Sequence, residues 1–367
     1  MKIGILTFHC AHNYGAVLQA YALQTYLQSI GHDAYIIDYR PRYLTKPYDI
    51  FDRHRFFSRN PLKFAYRTLR ELRFLPVRRQ RFAAFEHFIN TRLHLSPYRQ
   101  PDDLKSFDLV FLGSDQIWTK SITGNRYDNL YWGLDVPAPV ATYAASARNL
   151  GQAAEDRQYI SRALAHLTAI SLREDTLIPL LAPLTQTPLW HVLDPTLLID
   201  ATAYESLLRD VTPPRGRYVL VYQVGHHPTL NQTATAIAKQ LKCTVIELAA
   251  YANSRKSHGC TMLRTASPET FLAYIRHAAC IVTTSFHGTA LATLFQRPFY
   301  TVRWGNNVDE RAASLLKALG LENRSLAATE IPRFSEPDFS KAHDRLRLMR
   351  EKSYRYIQET IALAQNK

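Results

Sequence analysis

Short apolar runs alternate with amphipathic stretches along most of the chain. An apolar run at residues 2–8 leads into a polar, glycine-containing loop, a helical pattern at 16–29 and a second apolar run at 34–39. This order is typical of a β-α-β unit, which builds parallel sheets. Further apolar runs of strand length follow at 107–112, 140–145, 169–172 and 190–193. The first half of the chain therefore predicts a parallel α/β domain.

A second series of elements begins after a proline-bearing polar stretch at residues 208–216, which suits a linker. The strands predicted there are 218–224, 243–248, 280–284 and 299–302, with helices at 228–241, 268–278 and 287–295. We expect an α/β fold with two Rossmann-like domains, residues 1–209 and 210–367, facing each other across a glycosyltransferase-B-like cleft. A long charged helix at 338–366 closes the chain and could pack back on the first domain.

The composition is that of a globular chain. Of the 367 residues, 46% are hydrophobic and 21% charged, and no run approaches the roughly 20 apolar residues of a membrane helix. The first residues do not resemble a secretory signal. The four cysteines lack zinc-site spacing. We therefore expect a cytoplasmic protein without metal or cofactor, in which Cys10 is a small apolar filler or, as the alternative, a nucleophile.

Positive charge is concentrated between residues 51 and 100. The chain has a net charge of +14, and this segment has twelve Lys and Arg against three acidic residues. Apolar residues are threaded between the charges, which predicts amphipathic helices inserted in the first domain near 45–100. Their cationic face, with Arg78, Arg79 and Arg81, favours anionic lipid at the inner side of a membrane or a phosphate-linked sugar. Nucleic acid is not expected as a partner, and a solvated basic face is the plain alternative.

The loops that follow the strands are the candidate sites, because ligands of open parallel sheets bind at the carboxyl ends of the strands. After the first strand, Asn13, Tyr14 and Gly15 open a helix whose backbone amides could hold an anion. The alternative is a tight turn in which Asn13 only caps the helix.

A second loop offers groups that commonly bind sugars. Asp115 and Gln116 can hydrogen-bond hydroxyls, and the face of Trp118 can stack on a sugar ring. The alternative is a capped helix with Trp118 in the core.

A third loop places Arg173 at the end of a strand, where its guanidinium could form a bidentate fork on phosphate or carboxylate. A salt bridge to Glu174 or Asp175 is the alternative, although adjacent residues on a helix do not face each other.

The fourth loop contains Ser285, His287, Gly288 and Thr289 between an apolar strand and an Ala/Leu-rich helix. His287 stands at the helix N-terminus, where the protonation of an imidazole would respond to an anionic ligand. We expect this histidine to have a functional role rather than to be a satisfied core residue.

Together these segments resemble the polysaccharide pyruvyl transferase family. The resemblance rests on the opening strand and loop, on residues 37–41, 113–118, 170–174, 193–196 and 285–289, and on Arg311 with 319–321. It implies transfer of the pyruvyl group of phosphoenolpyruvate to two sugar hydroxyls as a ketal. It also implies that His287 is catalytic, that Arg173 and Arg311 bind the donor, and that Asp115 is a candidate base.

One position departs from the family pattern. Ser285 stands where an arginine is expected two residues before the histidine, so a cation for the donor is missing there. Either Arg173, Arg303 or Arg311 compensates, or the donor differs. The expected acceptor is a polysaccharide or its precursor, which could be lipid-linked. Two alternatives to pyruvyl transfer stay open: a nucleotide-sugar glycosyltransferase and a non-catalytic envelope-assembly protein.

Overall fold

The computed structural model describes residues 1–52, 60–151, 153–212, 214–254, 259–306 and 309–366. Within these ranges the chain forms two parallel sheets flanked by helices, which confirms the predicted α/β fold of two Rossmann-like domains. The predicted boundary at residues 209 and 210 stays a prediction.

The first sheet has the order β3-β2-β1-β4-β5 within the described residues, and the short pair β6-β7 extends it through bridges from Ala145 to Asp115 and Leu172. Its strands are β1 (Lys2–Leu6), β2 (Asp33–Ile37), β3 (Leu95–Ser96), β4 (Leu109–Leu112), β5 (Val140–Thr142), β6 (Ile170–Leu172) and β7 (Leu189–His191). The strand order reverses between β1 and β4, which creates a crevice at their carboxyl ends.

The second sheet repeats this order. In the part of the chain that the structure describes, its strands run β10-β9-β8-β11-β12-β13. They are β8 (Tyr218–Gln223), β9 (Thr244–Ala249), β10 (Thr261–Leu263), β11 (Cys280–Thr283), β12 (Phe299–Val302) and β13 (Ser325–Leu326). The reversal here lies between β8 and β11. Every residue of β4, β8, β11 and β12 is buried, as expected for strands covered by helices on both faces.

The α-helices cover the two sheets and close the chain. They are α1 (Tyr14–Ser29), α2 (Arg42–Thr45), α3 (Pro61–Arg92), α4 (Ala154–His166), α5 (Ile178–Leu181), α6 (Pro195–Leu198), α7 (Glu205–Leu208), α8 (Leu230–Leu241), α9 (Pro268–His277), α10 (Phe286–Leu294), α11 (Glu310–Leu319) and α12 (Ser340–Gln365). Short 3-10 turns occupy Lys46–Tyr48, Pro101–Ser106, Asp175–Leu177, Ala182–Leu184, Ala201–Tyr204 and Glu322–Arg324. No described helix combines the length and apolarity that crossing a membrane requires.

One hydrophobic cluster continues from the first domain into the second. The ring of Tyr14 on α1 stacks on Phe271 of α9, with ring centroids 4.4 Å apart. The last helix, α12, lies on the first domain, where the ring of Tyr354 stacks on Tyr26 at 4.8 Å. The two domains therefore share apolar contacts in addition to the cleft between them.

Most of the described part of the basic segment forms the single helix α3. Asn60 caps this helix by accepting a hydrogen bond from the backbone of Lys63, and Pro61 occupies the first helical turn, where proline is tolerated. Arg53, Arg55 and Arg59 lie outside the described residues.

The expected cationic face is partly wrong. Arg78 and Arg81 are buried, at 6% and 4% exposure, and only Arg79 of the predicted trio is exposed. The middle of the helix packs on the protein. Arg78 pairs with Glu71, and Arg81 donates a hydrogen bond to the carbonyl of Ala250 in the second domain. The cations of the helix are therefore divided between internal contacts and the surface.

Candidate active site

A cavity of about 360 Å³ lies between the two domains. The residues that line it all follow the carboxyl ends of strands, from both sheets: Asn13, Asp115, Gln116, Arg148, Val224, Gly225, Thr284, Ser285, Phe286, His287, Trp304, Asn306 and Arg311. The crevices at the two strand-order reversals thus face each other and form one site.

His287 enters this site from the first turn of α10. Ser285 caps the helix by accepting a hydrogen bond from the backbone of Gly288, which fixes the turn that presents the imidazole. A Cβ placed on Gly15 would lie 2.0 Å from His287 Nδ1, so only glycine allows the ring to approach α1 this closely. The ring is 6% exposed, and its Nε2 has no hydrogen-bond partner among the described residues.

Asp194 lies beneath His287 and connects it to Arg173. Its Oδ2 atom is 3.6 Å from His287 Nε2 and accepts a hydrogen bond of 2.9 Å from Arg173 Nη1. Its Oδ1 accepts hydrogen bonds from the backbone and hydroxyl of Thr196, as the cap of α6. Burial by itself raises the pKa of Asp194, but His287 and Arg173 together hold that pKa well below its usual range. An ionised carboxylate therefore orients the imidazole from below.

Arg173 lies under the cavity rather than in its wall. Its side chain is 1% exposed, and it also donates to Glu174 Oε1 at 3.0 Å and lies 3.7 Å from Asp115 Oδ1. The alternative salt bridge to Glu174 forms because residues 173 and 174 precede the 3-10 turn and are not on a helix. The arginine holds the carboxylates that surround it, and a ligand in the cavity does not contact it in this arrangement.

Unlike Arg173, the guanidinium groups of Arg148 and Arg311 line the cavity. Arg148 follows β5 in the first domain, and Arg311 lies in the first turn of α11 in the second. No described carboxylate lies within ion-pair distance of either side chain, and the buried Nε of each has no hydrogen-bond partner among the described residues. Burial, and then repulsion from Arg173, lower the pKa of Arg311 to about 10. Within the described part of the chain, neither guanidinium has an acidic partner, so positive charge is available on both sides of the cavity.

A family and several solved structures resemble this chain. The family described as Polysaccharide pyruvyl transferase matches residues 13–306. The chain belongs to this family. Its members are transferases that modify polysaccharides, and the match confirms the predicted membership. No curated protein matches the chain.

The similar solved structures are more distant. UDP-GlcNAc 2-epimerase from Methanocaldococcus jannaschii is 10% identical, with 95% of this chain and 92% of that chain covered and a TM-score of 0.47. UDP-GlcNAc 2-epimerase from Neisseria meningitidis bound to UDP-GlcNAc is 9% identical, with 98% and 94% covered and a TM-score of 0.46. ADP-heptose lps heptosyltransferase II from E. coli is 13% identical, with 98% and 99% covered and a TM-score of 0.40.

In this member of the pyruvyl transferase family, some of the other predicted site residues of the first domain line the cavity and some do not. Asn13 lines the cavity while its Oδ1 caps α1 by accepting from the backbone of Gly15. Asp115 and Gln116 also line it, and Asp115 Oδ1 accepts from the backbone of Gln116 at 2.8 Å. Tyr14 does not reach the cavity, because its ring is fully buried against Phe271 in the shared core.

The expectation that Trp118 stacks on a sugar is wrong. Its indole is 1% exposed, stacks on Trp132 at 4.4 Å and donates from Nε1 to the carbonyl of Tyr131. A core position with a satisfied N–H is the alternative that the structure adopts.

Gly288 and Thr289 have internal contacts and do not line the cavity. A Cβ on Gly288 would lie 2.5 Å from Thr283 Oγ1, so glycine allows α10 to pack on β11. The fully buried hydroxyl of Thr289 donates to the Ser285 carbonyl and lies 2.7 Å from Thr301 Oγ1. These two residues shape the helix that presents His287 and have no route to a ligand.

Cys10 is a buried filler. Its thiol is 2% exposed, and burial raises the pKa of the thiol to about 12, so it stays protonated at neutral pH. The alternative of a cysteine nucleophile is therefore wrong. Among the residues that the structure describes, no group of three or more His, Cys, Asp or Glu side chains could hold a metal ion.

Sequence reasoning missed Asp194, Arg148 and Trp304 as site residues. Arg148 and Trp304 follow β5 and β12, so the strand-end rule that selected the four loops also applies to them. Asp194 follows β7, and the sequence indicates it only as part of the family resemblance. Its contact with His287 depends on the packing of the two domains, which leaves no local signal.

Proposed function

We propose that this chain transfers the pyruvyl group of phosphoenolpyruvate to two hydroxyls of a sugar as a cyclic ketal, on a cell-surface polysaccharide or its precursor. The observation that carries the proposal is His287, held over an ionised Asp194 in a cavity that also contains Arg148 and Arg311, for which the described residues supply no acidic partner. Membership of the polysaccharide pyruvyl transferase family supports the choice of donor.

The two arginines match the charge of the proposed donor. Phosphoenolpyruvate carries a phosphate and a carboxylate, and guanidinium groups bind both through parallel N–H···O hydrogen bonds. Ser285 removes the cation that the family pattern places beside the histidine. Arg148 and Arg311, one from each domain, supply positive charge in the same cavity and compensate for that loss.

His287 is the proposed general acid. Protonation of the methylene carbon of the enol turns it into a methyl group and leaves a cationic centre at the neighbouring carbon. Asp194 would stabilise the protonated imidazole that delivers this proton, at a distance of 3.6 Å between the charged atoms. Arg173 acts as a positioning residue, because its hydrogen bond holds Asp194 under the ring.

Asp115 is the proposed base for the attacking hydroxyl. It lines the cavity together with Gln116, whose Oε1 has no hydrogen-bond partner among the described residues and could accept from a sugar. Attack of two hydroxyls on the cationic carbon forms two C–O bonds and breaks the bond to phosphate. One hydroxyl proton balances the proton added to the methyl group, and the other leaves with phosphate.

The proposed reaction needs no cofactor or metal ion, since the donor supplies its own leaving group. A cytoplasmic location supplies phosphoenolpyruvate, and the sugar acceptor could be a lipid-linked precursor.

The deciding experiment measures phosphate release from phosphoenolpyruvate in the presence of galactose- or mannose-bearing acceptors, with ketal formation followed by NMR. We expect release that depends on the acceptor, and His287→Ala should reduce it by at least about 100-fold, the lower range for a general acid. His277→Ala, at the exposed end of α9, is the matched control.

Release of nucleotide from a nucleotide sugar, without release from phosphoenolpyruvate, would assign the cavity to a glycosyltransferase. Full activity of a folded His287→Ala protein would remove the proposed acid. Replacement of Arg148 or Arg311 by Gln should mainly raise the KM for phosphoenolpyruvate, since both are proposed to bind its charges.

A further inference from the structure

The first turns of α3 are exposed to solvent. Every residue from position 61 to 70 is exposed except Thr68, which is half-buried. A helix that packs on a domain has a buried face, and this part of α3 has none, whereas the later part buries Phe85, Phe88 and Ile89. Residues 61–73, whose side chains are exposed except for Thr68 and Glu71, are called the outer half of α3.

Large apolar side chains cover one side of this outer half. Leu62, Tyr66 and Leu69 follow each other at helical spacings of four and three residues, so they lie on one face. They are 82%, 67% and 71% exposed, and Leu72, at 54%, borders the same stripe. A run of exposed leucines at this spacing is typical of a surface that is covered by a partner.

The stripe is flanked by cations. Lys63, Arg67 and Arg70 lie on the neighbouring side of the helix, and Arg73 lies among the apolar residues. The acidic residue of the segment, Glu71, is 1% exposed and pairs with Arg70 and Arg78. The outer half of α3 therefore presents apolar and positive groups to its surroundings, without an exposed negative charge.

An apolar hollow adjoins the stripe. It has a volume of about 640 Å³, is lined by Tyr66, Leu69 and Phe74, and has Arg73 and Arg264 at its walls. The guanidinium of Arg264, from the second domain, lies 5.8 Å from the centre of the Phe74 ring. Apolar volume next to arginines can accept an acyl chain together with its anionic headgroup.

We propose that the outer half of α3 docks on an anionic lipid bilayer. Leu62, Tyr66 and Leu69 would enter the boundary between headgroups and acyl chains, while the flanking Lys and Arg contact phosphate groups, as in amphipathic helices that lie in the plane of a membrane. The contact belongs to residues 61–73, and the buried Arg78 and Arg81 take no part in it.

The charges favour lipid over other partners. A second copy of the chain would bring two positive helices together, on a protein whose net charge is already +14. A nucleic acid would use the cations and the ring of Tyr66, but it offers nothing to exposed leucines. An anionic bilayer satisfies the apolar and the positive groups together.

The test is co-sedimentation with vesicles of phosphatidylglycerol and phosphatidylcholine, compared with vesicles of phosphatidylcholine alone. We expect binding to the anionic vesicles that weakens at high salt. The triple variant Lys63→Gln/Arg67→Gln/Arg73→Gln should bind on the order of 100-fold more weakly, since each basic residue near the surface contributes. Leu62→Ser/Leu69→Ser should also weaken binding without any change of charge.

The matched control is Lys239→Gln/Lys317→Gln/Lys341→Gln, which removes the same charge from exposed positions elsewhere. Equal binding of the control and of the first triple variant would overturn the proposal, as would an absence of wild-type binding to anionic vesicles at low salt. Dimerisation lost in the leucine variant, without vesicle binding, would assign the surface to a second copy. Turnover of a soluble acceptor should be unchanged in all these variants, so the result is independent of the proposed function.

Discussion

Gly15 decides how closely the imidazole of His287 can approach the first domain. The ring lies against the first turn of α1, where a Cβ would come within 2.0 Å of Nδ1. This contact joins a residue of one domain to the proposed acid of the other. The second position of α1 therefore requires glycine because a side chain from the other domain occupies the space that a Cβ would need.

Gly15→Ala should displace the His287 ring and reduce turnover by about 100-fold, because a misplacement near 1 Å can cost that much in rate. The overpacking should also destabilise the fold by about 1–3 kcal/mol. Steady-state kinetics and urea unfolding of the same protein measure both effects.

Gly31→Ala is the control that separates a loss of stability from a displacement of His287. No atom lies within 4 Å of a Cβ there, but its φ of +87° makes any side chain cost about 1–2 kcal/mol. This variant should lose stability and keep its activity. Wild-type turnover in Gly15→Ala would show that the close contact does not position the histidine.

At the scale of elements, α3 connects the two domains through its middle part and exposes its outer half. Arg81 donates hydrogen bonds to the hydroxyl of Tyr14 at 2.7 Å and to the carbonyls of Ala249 and Ala250 at 3.0 and 2.8 Å. Its guanidinium also lies 4.9 Å from the centre of the Tyr14 ring. One side chain therefore connects α3 to α1, to the last residue of β9 and to the residue that follows it.

Arg81→Ala should lower the free energy of unfolding by about 2–4 kcal/mol, because it leaves buried carbonyl groups without donors and removes packing on Tyr14. Urea unfolding followed by circular dichroism measures the change. The exposed neighbour Arg79→Ala is the control and should stay within about 0.5 kcal/mol of the wild type. Equal stability of the two variants would mean that the hydrogen bonds of Arg81 do not hold the domains together.

At the scale of the whole molecule, the charge of Arg311 is set by both domains. Burial lowers the pKa of its guanidinium most, Arg173 and Arg148 lower it further, and Glu174 and Asp115 raise it. All four of these neighbours belong to the first sheet and its loops, whereas Arg311 belongs to the second domain. The resulting pKa of about 10 is a property of the assembled cleft.

The affinity for phosphoenolpyruvate should therefore depend on pH at the alkaline end. Below pH 10 Arg311 is protonated and binds the anion, and above pH 10 it loses its proton, so the Kd should rise as the pH increases. Calorimetric titrations between pH 8 and 11 measure this trend. Arg311→Gln should bind more weakly at pH 8 and lack the additional rise. The same rise in that variant would assign the titration to another group.

The sequence by itself determined the α/β architecture and the place of the site. Buried strands such as β8 and β12 read as continuous apolar runs, and periodicity located the helices between them within a few residues. The edge strands β3, β10 and β13 were missed, since their two or three residues do not belong to a longer apolar run, unlike those of β5 and β6. The helices α4 and α11 were also missed. His287 and Asp115, which line the cavity, were predicted because polar residues at strand ends mark the ligand side of a parallel sheet, whereas Arg311 was predicted only through the resemblance to the family.

Only the tertiary structure decided which of these side chains meet. Trp118 lies in a polar loop and Tyr14 follows Asn13 at the start of α1, yet both rings are buried in the core, because burial depends on neighbours from distant parts of the chain. Asp194 lies under His287 although the two residues are far apart in sequence. Arg173 pairs with Asp194 beneath the cavity and therefore does not line the cavity wall. Local pattern specifies elements, whereas the pairing of charges in a cleft depends on how two domains come together.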